Sequence, residues 1–112
     1  MDSVRKNFVC AQGTTFTDVV VYSENGTVVD LTHYTAKMQA RETYASVLPS
    51  VNLTSTAGLT LGSDGTIIIY ISKEDTAKLV PKKYVYDLVI VTGTEATRLI
   101  EGEFIVTPGV TR

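Results

Sequence analysis

The sequence has one cysteine, one histidine, no tryptophan and three prolines in 112 residues. A single thiol, Cys10, allows no intrachain disulfide and no cysteine-rich metal site. It is expected to lie buried as a small hydrophobe, since a reactive thiol needs a cationic neighbour that Arg5 or Lys6 would supply only by accident of folding. A single histidine, His33, means that any Ser-His-Asp or Cys-His arrangement would have to use it. It stands beside Tyr34 in a turn-like stretch, where an exposed or locally hydrogen-bonded imidazole is expected. Charge is sparse as well, at 20% of residues against the usual quarter. Ten basic and 12 acidic residues leave a net charge of −2. The only basic clusters are Arg5-Lys6 and Lys82-Lys83, so neither a phosphate-neutralising patch nor a polybasic membrane anchor is expected. The longest uncharged run, residues 43–63, is rich in Thr, Ser, Asn, Pro and Gly and cannot cross a bilayer. Residues 1–6 lead into no apolar run of the kind a signal peptide needs. Two sequons, Asn25-Gly26-Thr27 and Asn52-Leu53-Thr54, are therefore read as turn and strand chemistry.

The motifs of common catalysis are missing too. There is no Gly-x-Ser-x-Gly elbow, no P-loop and no dinucleotide fingerprint. Gly62-Ser63-Asp64-Gly65 is rich in glycine, but no helix follows to hold a phosphate, and a hairpin is expected instead. Glu101 and Glu103 lie two apart on a strand and share a face. They could mimic a glycosidase pair or an ion site, but a solvated strand face that resists edge-to-edge aggregation is expected. Glu74-Asp75 suits the start of a helical turn. No catalytic, cofactor-binding or metal-ligating residue is assigned, no cofactor is expected, and the protein is read as not an enzyme.

What the sequence does have is β-branched side chains: 17 Thr, 15 Val and 7 Ile. These are stiff at χ1 and pack well on a pleated surface. They collect into alternating segments. Residues 5–11 place Phe8 and Cys10 on one face. Residues 14–22 place Phe16, Val20 and Tyr22 on one face and Val19 and Val21 on the other. Ser23-Glu24-Asn25-Gly26 marks a type I′ hairpin returning through residues 27–29. Residues 35–42 turn Ala36, Met38 and Ala40 inward and Lys37, Gln39 and Arg41 outward. Residues 47–53 read as a weaker strand, placed at a sheet edge because Pro49 has no N–H. Leu59 and Leu61 read as part of a loop before the Asp64-Gly65 turn. Residues 66–72 put Ile67, Ile69 and Ile71 inside, with Ile68 and Tyr70 on the other face. Ser72 caps a helical turn near residues 73–80, with Asp75 at its third position. Residues 83–92 turn Tyr84, Tyr86, Leu88 and Ile90 inward, and residues 96–107 form the last strand, with Gly102 marking a bulge or a close contact. Tyr22, Tyr34, Tyr44 and Tyr70 are expected nearer the surface.

Seven or eight short strands with one helical turn predict an all-β, two-sheet antiparallel immunoglobulin-like sandwich, with a small barrel as the alternative. The Cys…Trp…Cys pattern of true immunoglobulin domains is absent. One domain over residues 1–112 is expected, with flexible tails at 1–4 and 108–112.

Three stretches together carry a family likeness. They are Asp30-Leu31-Thr32-His33-Tyr34-Thr35 leading into a strand that ends in Arg41; Gly65-Thr66-Ile67-Ile68-Ile69 running on to Thr76; and Tyr84-Val85-Tyr86-Asp87-Leu88 closed by Arg98-Leu99-Ile100-Glu101-Gly102 and Val106-Thr107-Pro108. Over residues 8–112 this order resembles small tail or virion proteins of tailed bacteriophages, and the N-terminal domain of phage baseplate upper proteins. His33 and Lys83 stand where that family often has glycine, and the further domains of baseplate upper proteins have no counterpart in this sequence. The resemblance implies a non-enzymatic virion structural or adaptor protein, made in the bacterial host cytoplasm and associated with tail or baseplate. Its implied partners are other virion proteins and copies of itself, met through a sheet face or a strand edge near residues 47–53. A capsid-decoration or host-surface, glycan-binding module of the same fold is the alternative that it leaves open.

Overall fold

A computed structural model describes residues 4–110. Their order is β1 (Val4–Arg5), β2 (Phe8–Ala11), β3 (Phe16–Val21), β4 (Ser23–Glu24), β5 (Thr27–Val28), β6 (Thr35–Arg41), β7 (Val51–Thr54), β8 (Leu59–Leu61), β9 (Thr66–Ile71), α1 (Lys73–Ala77), β10 (Lys83–Thr92) and β11 (Glu95–Thr107). One sheet runs β1-β11-β10-β6-β7, with β2 also on β11; the second runs β3-β9-β8; β4 and β5 form a separate hairpin. The two sheets are distinct layers, which makes the molecule a sandwich and not a barrel.

The alternation read from sequence sets the core. Ala36, Met38 and Ala40 of β6, Ile67, Ile69 and Ile71 of β9, and Tyr84, Tyr86, Leu88 and Ile90 of β10 all face inward, in one hydrophobic cluster. Small alanines on β6 leave room for aromatic rings opposite. Phe8 packs on Phe16 at 5.6 Å between centroids and on Tyr86 at 5.1 Å, and Phe16 meets Phe104 at 5.3 Å. Edge-to-face pairs of this kind are each worth about 0.5–1.5 kcal/mol beyond their burial. Tyr84 donates its hydroxyl to Val80 O at 2.7 Å. This is the corner by which sandwich domains fix the entry to the strand at this position.

Turn chemistry is as expected at three places. Asn25 and Gly26 both have positive φ, 52° and 80°, in the β4–β5 turn. Asp64-Gly65 joins β8 to β9. Ser72 Oγ accepts from Asp75 N–H at 3.2 Å and caps α1. Thr76 of α1 is fully buried, donating to Thr14 O at 2.7 Å and accepting from Gly13 N–H at 3.1 Å, which ties the helical turn to the entry of β3.

Several expectations need correction. The sandwich is not antiparallel throughout, since β1 and β2 both lie parallel to β11. The chain leaves β2 through the turn at Gly13 and enters the other sheet as β3, so the neighbour of β2 is the last strand and not its sequence neighbour. Leu59 and Leu61 belong to a strand, β8, paired with β9. The edge strand read at 47–53 is β7 and starts only at Val51. Pro49 interrupts the approach, and Val47 and Leu48 project from a loop. The register break in the last hairpin is not at Gly102 but at Leu99, between the pairs Leu88↔Ile100 and Val89↔Arg98. The extra residue lets both Leu99 and Ile100 turn inward. Gly102 is instead a close contact: a Cβ there would sit 2.4 Å from Lys6 O. Tyr22, expected near the surface, is buried. Of the expected tails, residues 1–3 and 111–112 lie outside the described residues. Val4 pairs with Ile100, and Gly109 N–H donates to Gln12 Oε1 at 3.2 Å, so neither is loose.

Candidate interaction surface

The outer faces of the two sheets differ in chemistry. On the three-stranded sheet the register places Thr17 opposite Tyr70, Val19 opposite Ile68 and Val21 opposite Thr66, with Thr60 beside Ile68. None carries a charge. On the six-stranded sheet Arg41 and Glu103 flank Val85, while Gln39 and Glu101 flank Asp87. Arg98 reaches Asp87 at 3.2 Å and Glu101 at 3.9 Å. Gln39, Arg41, Val85, Asp87, Arg98 and Glu101, with Tyr44, line a shallow depression of about 230 Å³.

The two lateral sides differ more. On one, β2 of the first sheet lies near β3 of the second. Lys6 spans the layers to Asp18 at 3.9 Å and sits 5.4 Å from the Phe8 ring centre. Asp18 Oδ1 accepts the N–H of Val19, its own edge neighbour, at 2.8 Å. Asn7 Oδ1 accepts Glu103 N–H at 2.9 Å, and the Tyr86 hydroxyl donates to Lys6 O. Burial of that phenol pushes its pKa upward. Charge and side-chain capping thus close this side.

The opposite side is built from the uncharged run 43–63. It contains the loop after β6, edge strand β7, the turn after it and edge strand β8. Arg41 organises the loop, donating Nη1 to Ser46 O at 2.8 Å and Val47 O at 2.9 Å and Nη2 to Gln39 Oε1 at 2.8 Å. Ser46 Oγ accepts Thr43 N–H at 3.0 Å. The loop so held presents Tyr44, Val47 and Leu48 at 77%, 90% and 79% exposure. Below it a cleft of about 340 Å³ opens between β7 and the α1 corner, with Leu53, Ile71, Leu79, Val80 and Tyr84 as its apolar wall and Glu42, Asp75 and Lys78 as its charged one.

The residues singled out from sequence scatter. Cys10 is buried and its thiol pKa is raised by that burial. His33 is exposed in the turn before β6, near Asp30, whose carboxylate is held by Thr32. Glu101 and Glu103 share the outer face of β11, with Glu101 drawn to Arg98. Glu74 and Asp75 occupy the first turn of α1. Lys82 pairs with Glu42 at 2.5 Å. Among the described residues no group of three His, Cys, Asp or Glu could hold a metal ion, and no helix is long and apolar enough to cross a membrane. Sequence reasoning placed the edge near residues 47–53 but missed the exposed loop beside it. The available signal was Tyr44, Val47 and Leu48 inside a stretch with no charge to keep them solvated.

A solved structure of the extracellular domain of the voltage-gated sodium channel beta4 subunit is similar over 98% of this chain and 97% of its own, with a TM-score of 0.54 and 11% identity. The fold is an immunoglobulin-like β-sandwich. That neighbour forms parallel homodimers and is described in terms of cell-cell adhesion; at this identity the likeness concerns architecture. The sequence matches no family model and no curated protein.

Proposed function

We propose that this chain is a non-catalytic structural adaptor of a tailed-bacteriophage particle, located at the tail or baseplate and acting through contacts with its own copies and with neighbouring virion proteins. The observation that carries the reading is the Arg41-held loop, part of a run without charged residues, which holds Tyr44, Val47 and Leu48 in water beside an edge strand. Exposed apolar side chains on an ordered loop cost solvation free energy that a partner recovers on binding. The resemblance of the Asp30–Arg41 and Tyr84–Leu88 stretches to phage tail proteins supplies the setting. A structural neighbour that forms homodimers supports self-association of this architecture. Cryo-EM of purified virions should show density for this sandwich at the tail or baseplate; particles lacking the chain would overturn the reading.

A second reading, a capsid-decoration or host-surface module, draws on the depression where Tyr44 stands beside Gln39, Asp87 and Arg98. An aromatic ring among planar polar groups suits a sugar face. Density on the head, or host-cell binding lost in Tyr44→Ala, would favour it.

A further inference from the structure

We propose that the depression on the outer face of the six-stranded sheet binds one neutral hexopyranose ring, stacked on Tyr44 with its hydroxyls toward Asp87 and Arg98. The inference deepens the host-surface reading above and rests on it.

Strand register builds the site. Gln39 of β6, Asp87 of β10 and Glu101 of β11 stand side by side on the outer face, and Arg41, Val85 and Glu103 form the next row. Two strand spacings are about 10 Å. That breadth takes one sugar ring with a hydrogen bond on either side. The volume agrees. At about 230 Å³ the depression falls below the roughly 300–1,000 Å³ of pockets for drug-sized ligands, and suits a single ring.

The aromatic wall is held by the polar one. Gln39 Oε1 accepts from Arg41 Nη2 at 2.8 Å, and Arg41 Nη1 grips the carbonyls of Ser46 and Val47. Gln39 Nε2 donates in turn to Asn52 Oδ1 at 3.2 Å. The loop that carries Tyr44 is thus fixed before a ligand arrives, which lowers the ordering cost of binding. Tyr44 is 77% exposed, so its ring has an open face to offer. The negative face of an aromatic ring attracts the C–H side of a pyranose, whose hydroxyls then point outward round its rim.

Asp87 and Arg98 meet that rim. Arg98 Nε lies 3.2 Å from Asp87 Oδ2, and Nη1 lies 3.9 Å from Glu101 Oε2. Among the described residues the Asp87 and Arg98 side chains make no other ion pair. A guanidinium has five N–H donors and a carboxylate about four acceptor sites, so one such pair leaves most of both for a ligand. Donors beside acceptors are what two vicinal hydroxyls require, since each hydroxyl gives one bond and receives others.

Charge selects the class. Arg41, Asp87, Arg98 and Glu101 are the charged residues of the lining, and their formal charges cancel. A phosphate or a carboxylated sugar would meet two carboxylates, and an amino sugar would meet two guanidinium groups. A neutral polyol meets neither penalty.

The test is an NMR titration of the isotope-labelled chain with the methyl glycosides of glucose, mannose and galactose, with glucuronic acid and glucosamine as charged comparisons. At least one neutral glycoside should shift the Gln39, Val85, Asp87 and Arg98 amides saturably. Affinity should be millimolar, since one small ring makes few contacts. Tyr44→Ala and Asp87→Asn should each weaken this binding about tenfold or more. Circular dichroism and melting should not change, because both side chains lie outside the core. Tyr44→Phe keeps the ring face and should retain binding. Shifts with the charged sugars and none of the neutral ones overturn the class. No shift at these amides with any of these sugars overturns the site, while adhesion of the chain to host cells would still stand for the host-surface reading. Hexose binding here by a chain that does not adhere to host cells supports the site and overturns that reading.

Discussion

The two lateral sides of this sandwich meet the same problem, an unpaired strand edge, and meet it differently. Beside β2 and β3 the chain spends side chains on its own backbone, Asp18 on Val19 N–H and Asn7 on Glu103 N–H, and pairs Lys6 with the Asp18 carboxylate. Aromatic rings of both layers lock behind them. Beside β7 and β8 side chains hold a loop instead, Arg41 on Ser46 O and Val47 O and Ser46 on Thr43 N–H, and that loop presents Tyr44, Val47 and Leu48 to water. The first side closes the molecule on itself, and the second leaves it incomplete.

The comparison can be broken first at the closed side. Phe8 touches Phe16, Tyr86 and Phe104, and Phe8→Ala should cost about 3–5 kcal/mol in denaturant unfolding. A much smaller loss would show that the N-terminal strand is only loosely attached. Gly102→Ala drives a Cβ against Lys6 O, which is main chain and cannot swing aside, and should cost about 1–3 kcal/mol. Hydrogen exchange should then rise at Lys6 and Glu103. Tyr84→Phe removes the bond to Val80 O and should cost about 1 kcal/mol.

Alkali offers a finer probe. Tyr22 donates its hydroxyl to Glu24 Oε1 at 2.6 Å. That hydrogen bond, with desolvation and the Glu24 charge behind it, pushes the phenol from about 10 up to about 12. A pKa raised on folding contributes stability that is whole below the unfolded value and is lost as pH climbs through the folded one. Urea titrations should therefore show stability falling between pH 10 and about 12, and Tyr22→Phe should flatten that limb. At the open side, Leu48→Lys should move stability by no more than about 0.5 kcal/mol, because the side chain touches solvent. The same change should reduce association, which separates a contact surface from a folding surface.

Much of the closed architecture was legible from residue order. Alternation in Thr35–Arg41, Thr66–Ile71 and Lys83–Thr92 named the inward residues, and Asn25-Gly26 and Asp64-Gly65 named the hairpins. The reason is local: period and turn chemistry are carried by neighbours in the chain. What alternation cannot carry is which strand lies beside which, so the parallel seat of β2 on β11 could not be read. Three residues with two leucines are too few to show a period, and β8 passed for a loop. Tyr22 was expected nearer the surface as a polar-tipped ring, yet it follows the face that alternation gives to Phe16 and Val20: the ring packs into the core and the hydroxyl finds Glu24. Pro49 pointed to an edge at the right place. The loop that shares that edge depends on Arg41, whose guanidinium gathers carbonyls five and six residues on, a contact no spacing rule announces.

The seat of β2 on β11 has a consequence for how the chain comes into being. Phe8, Val9, Cys10 and Ala11 pair with Phe104, Ile105, Val106 and Thr107. During synthesis the N-terminal segment emerges first and finds its partner strand last, after nearly the whole sequence has left the ribosome. Until then the ring of Phe8 and the inner faces of the unfinished sandwich stay exposed to every other nascent copy nearby. The slow, long-range closure that completes one side is thus also the interval in which an early strand from one chain meets a late strand from another.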